Sequence, residues 1–367
     1  MFKSTASSRK VSVVVCSLFV VLFIVSTANA RTYEKIVAFG DSLSDHSGLQ
    51  AYIGAYDPAA NPSGALEVWS NGDVWVEYLA HRWGVPLENN SIAGAMTRGH
   101  ENETVQMMSD SGRLPQLGLV GQVAMYVASS PEFDPEETLF AIWIGGNNLL
   151  EFGRGKMHTA DPIVMITDAM TDIKDSIVSL YSQGASHFLV LNLPDIGKSP
   201  AYNKKDPAII GSVTRLVQSY NGALAAAVAG LEAGLEGVTI YSFDVFEYFD
   251  VMLESGVFAN VTDTYMELDA DGNKTGYVTG NAEDYIFWDN IHPMTKAHEM
   301  VAVEVDETLF SVKSSSSSTC FITSINTGSS DASRNYVFFI MAALFGVMIA
   351  FAAGEKFKEN MTKKHLR

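Results

Sequence analysis

The stretch Ile36-Val37-Ala38-Phe39-Gly40-Asp41-Ser42-Leu43-Ser44-Asp45 decides how the chain is read. Its apolar start has no polar alternation, which is the pattern of a strand buried on both faces in a parallel sheet. Gly40 breaks the run, and Asp41 and Ser42 follow at the strand's carboxyl end, the edge where open α/β sheets hold their ligands. A serine there sits at a helix N-terminus, where developing negative charge is stabilised. The Ser-x-x-Asp spacing of Ser42 and Asp45 serves a helix cap equally well.

Working outward, residues 139–144, 188–193 and 238–243 repeat the apolar pattern, and a weaker strand is placed near residues 86–92. Between the strands, residues 73–83, 162–183, 206–235 and 293–310 carry helical periodicity, the last with Pro293 near its first turn. Strands alternating with helices imply an α/β fold, a parallel sheet covered on both faces. The polar stretch 260–284 is expected to be a surface loop or hairpin. Glu267, Asp269, Asp271 and Gly272 imitate the start of a calcium loop, but Val278 stands where the closing Glu is required.

The ends read differently from the middle. Lys3, Arg9 and Lys10, the apolar residues 11–25 and Ala28-Asn29-Ala30 have the layout of a secretory signal peptide cleaved after Ala30. Residues 337–353 form an uncharged apolar run of 17, at the short limit for a bilayer span. Lys356, Lys358, Lys363, Lys364 and Arg367 follow it, which places that tail in the cytoplasm. The expected division is a signal peptide (1–30), a globular domain (31–313), a Ser-rich linker (314–335), a transmembrane helix (336–354) and a basic tail (355–367). The domain is then extracellular or periplasmic, held to a membrane by the C-terminal helix.

Residues 31–313 hold 15 basic and 39 acidic side chains, a net charge of −24. That surface excludes nucleic acid as a partner. The chain's cysteines are Cys16 and Cys320, so the domain carries no disulfide.

Far along the chain stands Asp289-Asn290-Ile291-His292-Pro293. A carboxylate and an imidazole three residues apart can reach one site from a single turn, and with Ser42 they offer a nucleophile, a base and a group to orient the base. His298, six residues into the following helix pattern, is a rival base expected to pack or to face solvent. His46, His81, His100, His158 and His187 show no such setting. Acyl transfer also needs donors for an oxyanion. Ala93-Gly94-Ala95 offers an unobstructed backbone N–H, and Gly145-Gly146-Asn147-Asn148 offers an amide side chain just after a strand.

Taken in order, these four segments resemble the sequence blocks of the GDSL esterase/lipase family, also called SGNH hydrolases. Trp69-Ser70-Asn71-Gly72-Asp73-Val74-Trp75-Val76-Glu77-Tyr78-Leu79-Ala80 is similar to a segment of its secreted lipase, phospholipase and haemolysin branch. The resemblance implies a three-layer α/β/α sandwich of about five parallel strands. It implies Ser42 as nucleophile, His292 as base and Asp289 as its orienting acid. The oxyanion hole would be formed by Ser42, Gly94 and Asn147, and no metal or organic cofactor is needed. The implied substrate is a small-molecule or lipid acyl ester; carbohydrate O-deacetylation and a silent surface-binding module are the alternatives. Two positions depart from the pattern: Asn148 replaces the usual Asp, and Ala93 replaces the first of two glycines. The Gly-x-Ser-x-Gly elbow of α/β-hydrolases is absent, since Ser44 stands two residues after Ser42.

Overall fold

The apolar runs pair as the sequence implies. In the computed structural model, which describes residues 33–46, 68–112, 114–269, 274–277 and 280–316, β1 (Lys35–Gly40) is buried from its second residue onward. β3 (Thr138–Trp143) is buried throughout and lies parallel to β1, from Lys35 opposite Thr138 to Gly40 opposite Trp143. β2 (Leu87–Asn89) flanks β1 on the other side, and β4 (His187–Leu191) and β5 (Thr239–Phe243) extend the sheet beyond β3. The order is β2-β1-β3-β4-β5, and every pairing is parallel.

This order fixes the layers. α1 (Trp75–Trp83) links β1 to β2 in one direction across the sheet. α2 (Glu103–Asp110) and α3 (Leu119–Ala128), then α4 (Gly146–Gly153) and α5 (Pro162–Tyr181), then α6 (Pro207–Gly234), serve the steps from β2 through β5 in the other direction. Right-handed crossovers put helices of opposite travel on opposite faces. Accordingly α3 packs on α5 and α5 on α6. α8 (Thr295–Ser316), which follows α7 (Val245–Glu254), returns to α1. There Arg82 reaches Asp306 at 2.8 Å, Trp83 Nε1 donates to Asp306 Oδ1 at 2.7 Å, and the Tyr78 and Thr295 hydroxyls meet at 2.8 Å. The direction reverses between β1 and β3, which opens a crevice above their carboxyl ends.

Helix starts follow local chemistry. Asp161 accepts the Ile163 N–H at 2.9 Å and Asp206 that of Ala208 at 2.8 Å, each just before a proline in the first turn. The last helix differs from expectation. It begins at Thr295, because Pro293 is held in an isolated bridge to Phe287. Trp288 donates to the His292 carbonyl and Met294 to that of Ile286, both at 2.8 Å. The segment after β9 (Tyr285–Phe287) therefore folds back on itself before any helix can start. In the polar stretch, β6 (Asn260–Thr264) pairs with β9, and β7 (Met266–Leu268) forms a hairpin with β8 (Lys274–Tyr277). Among the described residues no helix is long and apolar enough to cross a membrane. The helix α8 runs to Ser316 and so takes in the first three residues of the expected linker; the expected signal peptide, residues 317–335 of the linker, the membrane span and the basic tail lie outside the described residues.

Candidate active site

The turn after β1 is built so that Ser42 projects from the sheet edge. A Cβ on Gly40 would lie 2.5 Å from the Trp143 carbonyl, so only glycine lets the two strand ends close. The buried Gln122 carboxamide accepts the Gly40 N–H at 3.0 Å and donates to its carbonyl at 2.8 Å. Asp41 Oδ1 then accepts the Leu43 N–H at 3.0 Å, while the Asp41 carbonyl accepts from Ser44 and Asp45. Trp75 Nε1 anchors the turn by donating to Ser44 Oγ at 2.9 Å.

Across the crevice, His292 Nε2 stands 2.8 Å from Ser42 Oγ. Its Nδ1 is 2.9 Å from both oxygens of Asp289. Asp289 Oδ1 also accepts the Ile291 and His292 N–H groups, at 3.0 and 2.9 Å. Burial alone would raise the Asp289 carboxyl, but the charge and hydrogen bonds of His292, with the Ile291 N–H, hold it down at about 2. It is therefore ionised at neutral pH and favours an Nδ1–H tautomer, which leaves the Nε2 lone pair facing the Ser42 hydroxyl. The Trp69 ring lies 5.2 Å from the imidazole, between centroids.

The donor segments come to the same edge. Asp45 Oδ2 accepts the Ala93 N–H at 2.7 Å, which ties the nucleophile turn to the Gly94 turn. Gly94 has φ +78, and a Cβ there would lie 2.6 Å from His100 Cε1. Asn147, in the first turn of α4, donates one amide hydrogen to the Ala95 carbonyl at 2.9 Å, and the same nitrogen carries a second hydrogen. Among the described residues neither the Ser42 nor the Gly94 N–H donates to a protein group. Ser42, Asn147, Asp289 and His292 all line one cavity of ≈ 380 Å³. Gly94 is not among the lining residues; it lies between Ala93, bonded to Asp45, and Ala95, bonded to Asn147.

His298, the rival base, does not touch Ser42; it is buried farther along the same cavity. Among the described residues His100 has no carboxylate partner, but its ring is held by backbone groups. Its Nδ1 accepts the Asn102 N–H at 3.0 Å, so the ring nitrogen Nε2 carries the proton and donates to the Ala93 carbonyl at 2.7 Å. It thereby braces the Gly94 turn, and burial lowers its pKa, keeping it neutral. Asn148 explains its own departure. Its Oδ1 accepts the Thr97 N–H and its Nδ2 donates to Thr97 Oγ1, both at 3.0 Å, while that hydroxyl donates to Asp172 at 3.1 Å. A carboxylate at residue 148 would set two acceptors on a hydroxyl with one hydrogen. His46, Asp73 and Glu77 place metal-type ligand atoms within 4.8 Å of one another, but none of them lines the cavity.

Asp41, next to Ser42 in the turn, is 2% exposed. Burial pushes its carboxyl up to about 7; the Leu43 N–H and the His292 charge pull against this, while Glu101 and Asp45 add to it. The native state thus holds a proton that the unfolded chain releases near 3.8. The stability linked to it is complete below that value, falls as pH rises, and is gone above about 7. Asp41→Asn, which keeps the acceptor for Leu43, is expected to raise unfolding free energy at pH 8 by about 2–4 kcal/mol relative to the parent, and by almost nothing at pH 4. Thermal melts of both proteins across this range check it; a pH-independent difference would disprove the assignment.

A model of the GDSL-like lipase/acylhydrolase family matches residues 36–305. The chain belongs to that family. It is 26% identical over 289 residues to the thermolabile hemolysin of Vibrio parahaemolyticus, a match covering 75% of this chain and 63% of that one. It is 28% identical over 189 residues to the phosphatidylcholine-sterol acyltransferase of Aeromonas hydrophila, covering 51% and 52%. The match thus spans less than two thirds of either relative's length. Among solved structures, the lipolytic G-D-S-L family protein of Veillonella parvula aligns at a TM-score of 0.40 and 14% identity, over 74% of this chain and 96% of that one.

As in a GDSL-family block reading, Ser42, Asn147, Asp289 and His292 converge. The cavity walls were not visible in the sequence. They come from Leu193–Ile196, from the inner face of α7 and from α8, segments that carry no motif.

Proposed function

We propose that the protein is a serine ester hydrolase acting on acyl esters outside the cell. The observation that carries this reading is the 2.8 Å contact between Ser42 Oγ and His292 Nε2, with Asp289 behind the ring. Ser42 attacks the ester carbonyl as His292 takes its proton. The Ser42 and Gly94 N–H groups and the Asn147 amide receive the charge that develops on oxygen. His292 returns the proton to the departing alkoxide, and the ester bond to that group breaks. His292 then deprotonates a water that attacks the acyl-serine, and returns that proton to Ser42 Oγ as the acid departs. None of these steps calls for a metal.

The apolar depth of the cavity, with Phe249, Met252 and Phe287 in its wall, supports an acyl chain as the group held there. The lipid named in the acyltransferase relative supports acyl lipids as the substrate class. Residues 1–30 would direct export and residues 336–354 would tether the domain to the membrane.

A fluorophosphonate probe is expected to label wild-type protein at Ser42, read by peptide mass spectrometry, and to leave His292→Ala unlabelled. The probe reacts only with an activated hydroxyl, so a folded wild-type protein that resists it would be the silent binding module instead.

A further inference from the structure

One buried side chain in the cavity is unexplained by the proposed chemistry. His298 is 1% exposed, and among the described residues neither its Nδ1 nor its Nε2 has a hydrogen-bond partner. It sits on the inward stripe of α8 with Ala297, Val301 and Val305, and Met294 precedes the helix; all of them are buried. A leucine would suit that stripe. An imidazole whose two ring nitrogens go unmet in such surroundings costs stability unless something else meets them.

The place where it sits answers what that is. His298 lines the same cavity as Ser42 and His292, in company with Val245, Phe249, Met252 and Phe287. A second buried polar atom, Trp143 Nε1, also lacks a partner among the described residues, and Trp143 lines this cavity too. Two unmet polar groups in one apolar chamber are better explained by ligand recognition than by packing. The chemistry of the imidazole narrows the ligand. Burial, together with the charges of His292 and His46, pushes its pKa down to about 3, so it is neutral. A neutral imidazole offers a donor and an acceptor on different sides of its ring, and a hydroxyl group, itself donor and acceptor, can pair with either one.

We infer that His298 is a specificity-determining residue that selects esters whose acyl chain carries a hydroxyl group. The inference rests on the ester-hydrolase reading. Its logic is that of a site built to bond a substrate hydroxyl. Such a site disfavours the analogue lacking it, because the buried polar group then stays unmet.

The test uses the full chain and p-nitrophenyl esters of matched length, either unsubstituted or hydroxylated at successive positions from C3 to C8. Wild type is expected to favour at least one hydroxylated ester over its plain counterpart by about tenfold or more in kcat/KM. In His298→Leu that ratio should fall toward one, and in His298→Gln, which restores a donor and an acceptor, part of it should survive. A wild type with no such preference overturns the inference, and so does a His298→Leu variant whose rates fall equally for both classes. Because the first of these needs no variant, misfolding of His298→Leu leaves the proposal open to refutation. Failure of the underlying reading looks different: no ester of either class is cleaved and the fluorophosphonate leaves Ser42 unmodified.

Discussion

Ser42→Ala is expected to lower kcat for p-nitrophenyl ester hydrolysis by about 10⁴–10⁶-fold, while the melting temperature moves by only about a few degrees. The two effects separate because of how the turn is held. Asp41 Oδ1, the Asp41 carbonyl and the Trp75–Ser44 contact fix the backbone, and none of them uses Ser42 Oγ. The hydroxyl's contact is with His292 Nε2. Removing it deletes the nucleophile and leaves a methyl group in a largely buried position. Some rate over water should persist, since the oxyanion donors and the cavity remain. Steady-state kinetics and a thermal melt on the same preparation decide the matter; near-normal turnover would exclude Ser42 as the attacking group.

Asp289→Asn is expected to cost about 10⁴-fold in kcat with the fold intact. The reason lies in which oxygen is already engaged. Oδ1 accepts the backbone N–H groups of Ile291 and His292. In the variant, the amide oxygen must keep those two bonds, which turns its NH₂ toward His292 Nδ1. That ring nitrogen then has to accept, so the proton moves to Nε2 and faces Ser42. A base that already carries its proton cannot take another. The amide also lacks the charge that stabilises the imidazolium formed during attack. Kinetics of the purified variant, beside a circular-dichroism spectrum matching the parent, check this. A loss smaller than tenfold would show that the carboxylate does not set the tautomer.

Much of this was legible in the linear chain, and the physical reason is consistent. Ile36–Phe39 and its counterparts in β3, β4 and β5 read as strands because a sheet covered on both faces tolerates no polar alternation. α5 and α6 were read from their periodicity, and in the fold an aspartate followed by proline caps each of them. Asp289 and His292 were close in sequence, and their pairing survives folding because one turn holds both. Elsewhere the decisive partner was remote. His100 matters through the Ala93 carbonyl and the Asn102 N–H around a tight loop, and nothing in the sequence marks that closure. Asn148 matters through Thr97 and Asp172, which lie on separate elements. Pro293 looked like a helix start, but bridging to Phe287 delays the helix until Thr295. The cavity walls escaped notice because ordinary apolar residues become a binding chamber only when α7, α8 and the β4 exit loop surround it.

Ser42 follows the first strand, whereas His292 precedes the last helix, 250 residues later. That helix is clamped to α1 through Asp306 and Thr295. During synthesis, the serine therefore emerges long before anything can activate it. On the proposed reading, a nascent polypeptide, or one clipped before His292, carries Ser42 as an unactivated alcohol.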